Sequence, residues 1–516
     1  MQVSAELVPY AIGGIATYVE SQILLPNQIR LFKYPEKVAE AIEKAGVPDV
    51  IGFSNYIWNG ELSLAFARRV KELRPDVVVV FGGPNYPVTD EDRVDYLSQH
   101  PEIDFYVQYE GEVAFTELLL ALVEVDSDLD EAKKRIIPSV HSIDSKGIPH
   151  LHPNGSRLTD LTVIPSPYTS GRLDEFFDGV LLPIIQFHRG CPFTCAFCVE
   201  GDSYFTKIRG NEIGKTKSEL EYIAELMTSD RLSGGRKDLY IADSNFGMFK
   251  DDLEIAKYIA GLQDNLGYPE YLHTATGKNK KEQVLEVARL VRGALRLSGS
   301  VQSLDPDTLS NIKRKNISAS DIMALAINAA DVQANSYSEL IIGLPGETKS
   351  SHLDSLRQVM EAGFNRVIVY QLMMLPGSEL ATKETRRTHG MTMRYRVLPR
   401  CFGNYPVAGK DVLGVEIEEV CIATNTLSFQ DYLDCRFVHL LISIFYNDAV
   451  FGGMLKLIKA VGGSFFRWIE ILGETAPTEA LSKLFDEFNA RFIKNDGELD
   501  NINLFKRRIL GLTSYF

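Results

Sequence analysis

The chain is poor in cysteine: six occur in 516 residues, and none precedes Cys191. Three of the six crowd into residues 191–198, where pairing two would leave one over. Metal binding or catalysis is therefore expected of them rather than a disulfide framework. Long apolar runs are also missing. "VIVYQLMML" falls far short of the ~20 residues a membrane-spanning helix needs, and no segment resembles a signal peptide. Positive charge is not in surplus. The 54 Lys and Arg stand against 69 Asp and Glu, a net charge of −15, which argues against a surface that coats nucleic acid. No internal repeat or low-complexity segment is present. The expectation is a cytoplasmic protein with neither membrane nor nucleic acid as partner.

The length suits about three domains, and 45% hydrophobic with 24% charged residues is the balance of a globular protein. Residues 1–135 alternate strand and helix patterns. "PDVIGFSNYI", "DVVVVFGG" and "IDFYVQYEGE" read as strands, and "ELSLAFARRVKELRP" and "VAFTELLLALVEV" as helices. A doubly wound, Rossmann-like α/β domain follows. Ligands of such sheets sit at the carboxyl ends of the strands, here Asn55–Asn59, Gly82–Tyr86 and Tyr109–Glu112. Residues 136–180, rich in Pro, Ser and Gly, read as a linker with a small hairpin turning at Gly147. Strand–helix alternation resumes over 181–390, the pattern of a full or partial (β/α) barrel with its chemistry at the strand ends. Residues 391–516 read as a mostly helical domain, through "SFQDYLDCRFVHLLISIFYND", "SFFRWIEILGE" and "TEALSKLFDEFNARFIKND".

The stretch "CPFTCAFC" follows the first barrel strand. A cubic iron–sulfur cluster takes thiolate ligands, and three cysteines leave one iron open for a substrate or cofactor. A structural zinc site wants four closed ligands, for which His188 is a possible fourth. His188 and Arg189 either face a ligand or steady the loop.

These residues resemble the CxxxCxφC motif of the radical S-adenosylmethionine (SAM) enzymes. The resemblance implies a [4Fe–4S] cluster on Cys191, Cys195 and Cys198, whose open iron binds the amino and carboxylate groups of SAM. It implies reductive cleavage of SAM to a 5′-deoxyadenosyl radical. It extends over about residues 181–385. Phe197 matches the aromatic position near the adenine. "IADSNF" takes the place of the family's "GGE", with Asp243 as the acid for the SAM amine. "SGSVQSLDPDTLSNIKRKN" resembles the fourth-strand segment, with Ser300, Gln302 and Ser303 as SAM contacts. "LIIGLPGET" is similar to the fifth-strand turn, with Gly343, and "LMMLPGSELA" to the sixth.

The first domain resembles the cobalamin-binding domain that precedes the barrel in one subgroup of that family. "GGPNYP" and "YEGEVAF" carry the likeness. It implies that Asn55, Tyr56, Trp58, Gly82, Gly83, Tyr109, Glu110 and Gly111 border cobalamin, with Tyr56 and Trp58 covering the corrin face and keeping water off the metal. The chain has no DxHxxG motif, so no histidine from it reaches the cobalt.

The implied function is a cobalamin-dependent radical SAM enzyme, most simply a methyltransferase acting on an unactivated carbon. Rearrangement or cyclisation with cobalamin, and a corrin- or cluster-based sensor, are the alternatives. A methylthiotransferase is disfavoured, because that class has three further cysteines in its first domain. A small-molecule or peptide substrate and a one-electron reductant, flavodoxin or ferredoxin, are the implied partners. Cys401, Cys421 and Cys435 are too dispersed for a second cluster. Tyr370 lies on a barrel strand with no role assigned.

Overall fold

The computed structural model describes residues 6–23, 29–232, 235–277, 279–315, 336–447 and 450–475, with some residues between 479 and 490. The first domain holds α1 (Tyr10–Gln22), α2 (Pro35–Ala45), β1 (Val50–Ser54), α3 (Gly60–Leu73), β2 (Val78–Gly82), α4 (Asp90–Gln99), β3 (Phe105–Val107) and α5 (Gly111–Glu124). β1, β2 and β3 pair in parallel and in chain order. The valine run of β2 is buried on both faces, as a central parallel strand should be. Val77, Val79 and Phe81 pack with α2, α3 and α4 on one side. Val78 and Val80 pack with α5 on the other.

The hairpin turning at Gly147 belongs to this sheet rather than to a linker. Its strands β4 (Val140–Ile143) and β5 (Pro149–Leu151) add antiparallel beside β3. The extended edge buries Val140 and His141, which a surface connector would not do.

The barrel strands are β6 (Ile184–Ile185), β9 (Asp238–Ile241), β10 (Tyr271–His273), β11 (Leu297–Ser298), β12 (Ser336–Ile342) and β13 (Arg366–Gln371), with the short pair β7 (His188–Arg189) and β8 (Arg209–Gly210) beside the cysteine loop. Parallel sheets β6–β9–β10 and β11–β12–β13 meet through a parallel bridge of Leu272 with Leu295. The result is a partial barrel. The amino-terminal residues also reach it, since Leu7 bridges Leu182 in parallel and Val8 joins the barrel core.

The segment after 390 corrects the expectation of a mostly helical tail. It opens with a long antiparallel hairpin, β14 (Thr392–Val407) and β15 (Lys410–Ala423). Its turn, Ala408–Gly409, has both φ angles positive, 47° and 77°, as a two-residue hairpin turn requires. Alanine tolerates that conformation poorly, so the Ala-Gly pair carries none of the usual Asn-Gly signal. Helices follow at Phe429–Leu441, Gly452–Ala460 and Phe465–Glu474. The helix expected over 478–496 lies largely outside the described residues. Among the described residues, no helix is long and apolar enough to cross a membrane.

The hairpin ties the domains together. Val420 bridges Met373 after β13, while the buried Glu416 carboxylate accepts the Glu61 and Leu62 amides of α3 at 3.0 and 2.9 Å. An anion at a helix amino terminus is favoured by the orphan N–H groups and the dipole. Glu416→Ala should therefore cost about 2 kcal/mol and speed hydrogen exchange at the Glu61 and Leu62 amides. Unchanged exchange there would show that the carboxylate does not hold the helix.

Candidate functional site

The cysteine loop is pinned from several sides. The Cys191 amide donates to Phe205 O at 3.0 Å, the Ala196 amide to Ile312 O at 3.0 Å, and Ala196 O accepts from the Leu380 amide at 3.0 Å. A local turn closes it, with the Cys198 amide on Cys195 O at 3.0 Å. None of the six cysteines is in a disulfide. The three in the loop lie near enough for their charges to act on one another, and burial is the main force that pushes the Cys198 thiol up to about 11, with Glu200 adding to it. Burial also raises Cys191. A cation is what would make thiolates here, which is the chemistry of a metal-cluster site. Cys401, Cys421 and Cys435 are buried elsewhere. Burial first of all pushes Cys421 and Cys435 up to about 12, so neither offers a thiolate at neutral pH.

Asp243 does something other than wait for an ammonium group. Its carboxylate accepts the Phe187 amide at 2.7 Å, the His188 amide at 2.9 Å and His188 Nδ1 at 2.8 Å. It thus fixes the exit of β6 into the cysteine loop. Asp252 Oδ1 stands 3.6 Å from the same ring nitrogen. Burial alone would lower the His188 pKa, but Asp243 and Asp252 outweigh it and the net shift is upward. The three side chains could be taken for metal ligands by proximity. The direct hydrogen bond between His188 and Asp243 explains them instead. His188 therefore steadies the loop, and Arg189 does the same through its 2.8 Å ion pair with Glu112.

The other expected SAM contacts divide. Gln302 takes a positive φ of 66°, and its buried Oε1 has no hydrogen-bond partner, so it stays open to a ligand donor. Phe197 is half-buried, with the Arg314 guanidinium 5.7 Å above its ring. Ser300 is engaged by Glu339 at 2.6 Å. The fully buried Ser303 accepts the Asp305 amide at 3.2 Å. Gly343 gives its N–H to the buried Glu347 at 2.9 Å. Ser303 and Gly343 thus shape the strand ends.

A cavity of about 1460 Å³ opens at the carboxyl ends of β1, β2 and β3 and runs to Val199 and Glu200 of the cysteine loop. This exceeds the few hundred to a thousand Å³ of ordinary small-molecule pockets. Tyr56, Trp58, Gly82, Gly83, Tyr109, Glu110 and Gly111 line it. Tyr56 and Trp58 stack with centroids 4.5 Å apart and planes 11° apart, presenting a flat apolar surface. Asn55 is not part of the wall. It is fully buried beneath, where its amide donates to Asn85 O at 2.9 Å and to the hydroxyls of Tyr96 and Tyr106. Gly83 follows from that packing: at φ 125° a Cβ would lie 2.6 Å from Asn55 O. Gln108 Oε1 and Glu110 Oε2, on wall residues, are buried and unpartnered. Such acceptors fit the amide donors that fringe a corrin ring.

Several functional neighbours were not legible in the sequence. Glu200 follows directly on the cysteine loop and accepts the Ser244 hydroxyl. Burial raises its pKa. Asn245 Nδ2 donates to Cys191 Sγ at 3.3 Å, and Arg314 Nη1 to Cys195 Sγ at 3.6 Å. Arg314 lies in the segment that resembles the family's fourth strand, but between Lys313 and Lys315 nothing in the sequence singles it out.

In the metal-free chain at pH 8, Cys198 should react with iodoacetamide on the order of 100-fold more slowly than a free thiol, because its thiolate is scarce. Its rate should keep climbing as pH approaches about 11. Mass-spectrometric peptide counting checks this, and labelling at the free-thiol rate would contradict it.

The chain matches the B12 binding domain over residues 7–119 and the Radical SAM superfamily over residues 185–359. The 2-(S-pantetheinyl)-carbapenam-3-carboxylate methyltransferase of Streptantibioticus cattleyicolor is 31% identical over 450 residues, 83% of this chain and 62% of that protein. The cobalamin-dependent radical SAM methyltransferase TokK of Streptomyces tokunonensis is 34% identical over 401 residues, 74% of this chain and 56% of that protein. The chain thus spans less than two thirds of the length of either. Among solved structures, radical SAM methyltransferase TsrM of Kitasatospora setae superposes with a TM-score of 0.58 at 16% identity, over 77% of each chain. The cobalamin-dependent SAM radical enzyme OxsB gives 0.58 at 15% identity, over 95% of this chain and 69% of that one. The two matched domains cover the turns that wall the cavity and the cysteine loop into which it opens, and the chain belongs to the radical SAM family's cobalamin-binding branch.

Proposed function

We propose that the chain is a cobalamin-dependent radical SAM methyltransferase that places a methyl group on a carbon of a small biosynthetic intermediate. One observation carries this reading. One cavity runs from the strand ends of the first domain to Gly190, Val199 and Glu200, which flank the cysteine stretch, so a corrin held there would face the side of the barrel where the cluster belongs. When bound, the cluster and SAM supply one-electron chemistry, and the corrin supplies the methyl group.

The chain's own part is alignment and the exclusion of water. Cys191, Cys195 and Cys198 hold the cluster. Gln302 Oε1 accepts from SAM, and Phe197 packs beside the adenine. Gln108 and Glu110 accept from corrin amides, while the Tyr56–Trp58 stack covers the ring. Asp243 acts one step back, by holding the loop. A flavodoxin- or ferredoxin-type reductant supplies the electrons.

The carbapenam thioether named for the first relative is the substrate to try first. Reconstituted protein with cobalamin, reductant and methyl-labelled SAM should yield a labelled product with equal amounts of 5′-deoxyadenosine and S-adenosylhomocysteine. 5′-Deoxyadenosine with an altered but unlabelled substrate would replace this reading by rearrangement. No SAM cleavage in the fully loaded protein would overturn the enzyme reading.

A second test uses Gly377. A Cβ there would lie 2.4 Å from Pro84 O and 3.2 Å from Val199 Cγ1, so the first domain's glycine turn, the cysteine loop and the "LPGSE" turn meet at this residue. Gly377→Val forces them apart. Methyl transfer should fall on the order of 100-fold, as ångström-scale misplacement does, while cluster content stays unchanged. Full activity in the variant would show that the spacing is not limiting.

A further inference from the structure

We propose that Arg314 and Asn245 set the reduction potential of the iron–sulfur cluster by donating hydrogen bonds to two of its three cysteine sulfurs. The inference rests on the reading of Cys191, Cys195 and Cys198 as cluster ligands.

The geometry is asymmetric among the three thiols. Arg314 is only 6% exposed. Its Nε donates to Val301 O at 3.1 Å and its Nη2 to Ser300 O. Those two carbonyls aim Nη1 at Cys195 Sγ, 3.6 Å away. Asn245, 3% exposed, places Nδ2 3.3 Å from Cys191 Sγ.

Reduction adds negative charge to a cluster. Hydrogen bonds to its sulfurs and a fixed nearby cation stabilise the electron-rich state and raise the potential. A guanidinium keeps its charge at any working pH, and in a buried setting that charge is weakly screened. Arg314 also ties the fourth-strand loop, at Ser300 and Val301, to the cysteine loop. A merely structural staple would affect cluster assembly but not the potential of clusters that do assemble.

The test is a redox titration followed by electron paramagnetic resonance, on anaerobically reconstituted full chain without SAM, cobalamin or substrate. Arg314→Gln and Asn245→Leu should each shift the midpoint to more negative values. Arg314→Lys, which keeps the charge, should lie closer to the unaltered chain than Arg314→Gln does. If Arg314→Gln fails to hold iron, Asn245→Leu, which leaves the guanidinium in place, decides the matter. A midpoint equal to the unaltered chain's in Asn245→Leu would overturn the proposal. An unaltered chain that assembles no cluster would instead overturn the reading of the cysteines as ligands.

Discussion

A single turn, residues 109–112, fastens the first domain to the barrel, and the site depends on that attachment. Tyr109 stacks on Tyr204 with centroids 4.0 Å apart, and its hydroxyl donates to Asp202 at 3.0 Å. Glu110 accepts Arg157 at 3.0 Å. Arg157 in turn donates to Tyr204 O and Lys207 O, backbone just beyond the cysteine loop. The buried Glu112 pairs with Arg189. Polar contacts from Tyr109, Glu110 and Glu112 thus join a strand end of one sheet to residues around the cysteine loop of the other. Removing one partner of such a buried pair leaves an uncompensated charge, at a cost of about 3–5 kcal/mol. The ion pairs fix the relative placement of the domains more than they add net stability. The hairpin of residues 392–423 adds a second tie, where Glu416 caps α3.

Charge around the cysteine loop follows the same economy. Asp243, His188 and Asp252 form a buried row: Asp243 binds two amides and His188 Nδ1, and Asp252 Oδ1 stands 3.6 Å from that nitrogen without a hydrogen bond. Burial raises Asp252 to about 6, against the pull of His188. A comparable row stands behind the "GLPGET" turn. Glu347 accepts His352 Nδ1 at 2.9 Å, and His352 Nε2 meets His439 Nε2 at 2.8 Å. Burial, first of all, keeps His439 well below its usual pKa. Arg436 donates to His439 Nδ1, so His439 carries its proton on Nε2 and donates to His352, which donates to Glu347. The polarity of this chain ties the helix Phe429–Leu441 to the fifth-strand turn in one defined arrangement.

Much of this was legible in the sequence, and the reasons differ by region. The valine run of β2 and the amphipathic pattern of α3 announce a sheet covered on both faces. The eight-residue cysteine stretch and the recurring strand-end turns announce the barrel and its site. The hairpin of 392–423 was hidden because its turn uses Ala408, and because Pro399 and Arg400 break the alternation at a bulge between Val397 and Phe402. Asp243 was legible as an acid at a strand end, but not as one already saturated by Phe187 and His188. A carboxylate's partners come from backbone about 55 residues earlier, and sequence spacing carries no record of them.

Among the strand-end residues that the motifs mark, hydrogen-bond saturation differs. Asn55, Asp243 and Ser303 sit in motifs and are buried, yet each has its hydrogen-bonding groups taken up by its own chain. Gln108, Glu110 and Gln302 also sit at strand ends, and each keeps a buried oxygen without a partner. A buried unpaired acceptor costs about 1–3 kcal/mol, and three of them at the ends of β3 and the fourth barrel strand are a standing cost to the folded chain. That cost is relieved when a bound ligand supplies donors. The folded protein is therefore strained in favour of binding at the places the motifs mark, and a donor-rich ligand such as a corrin amide or the SAM amine recovers in affinity what the empty scaffold gives up in stability.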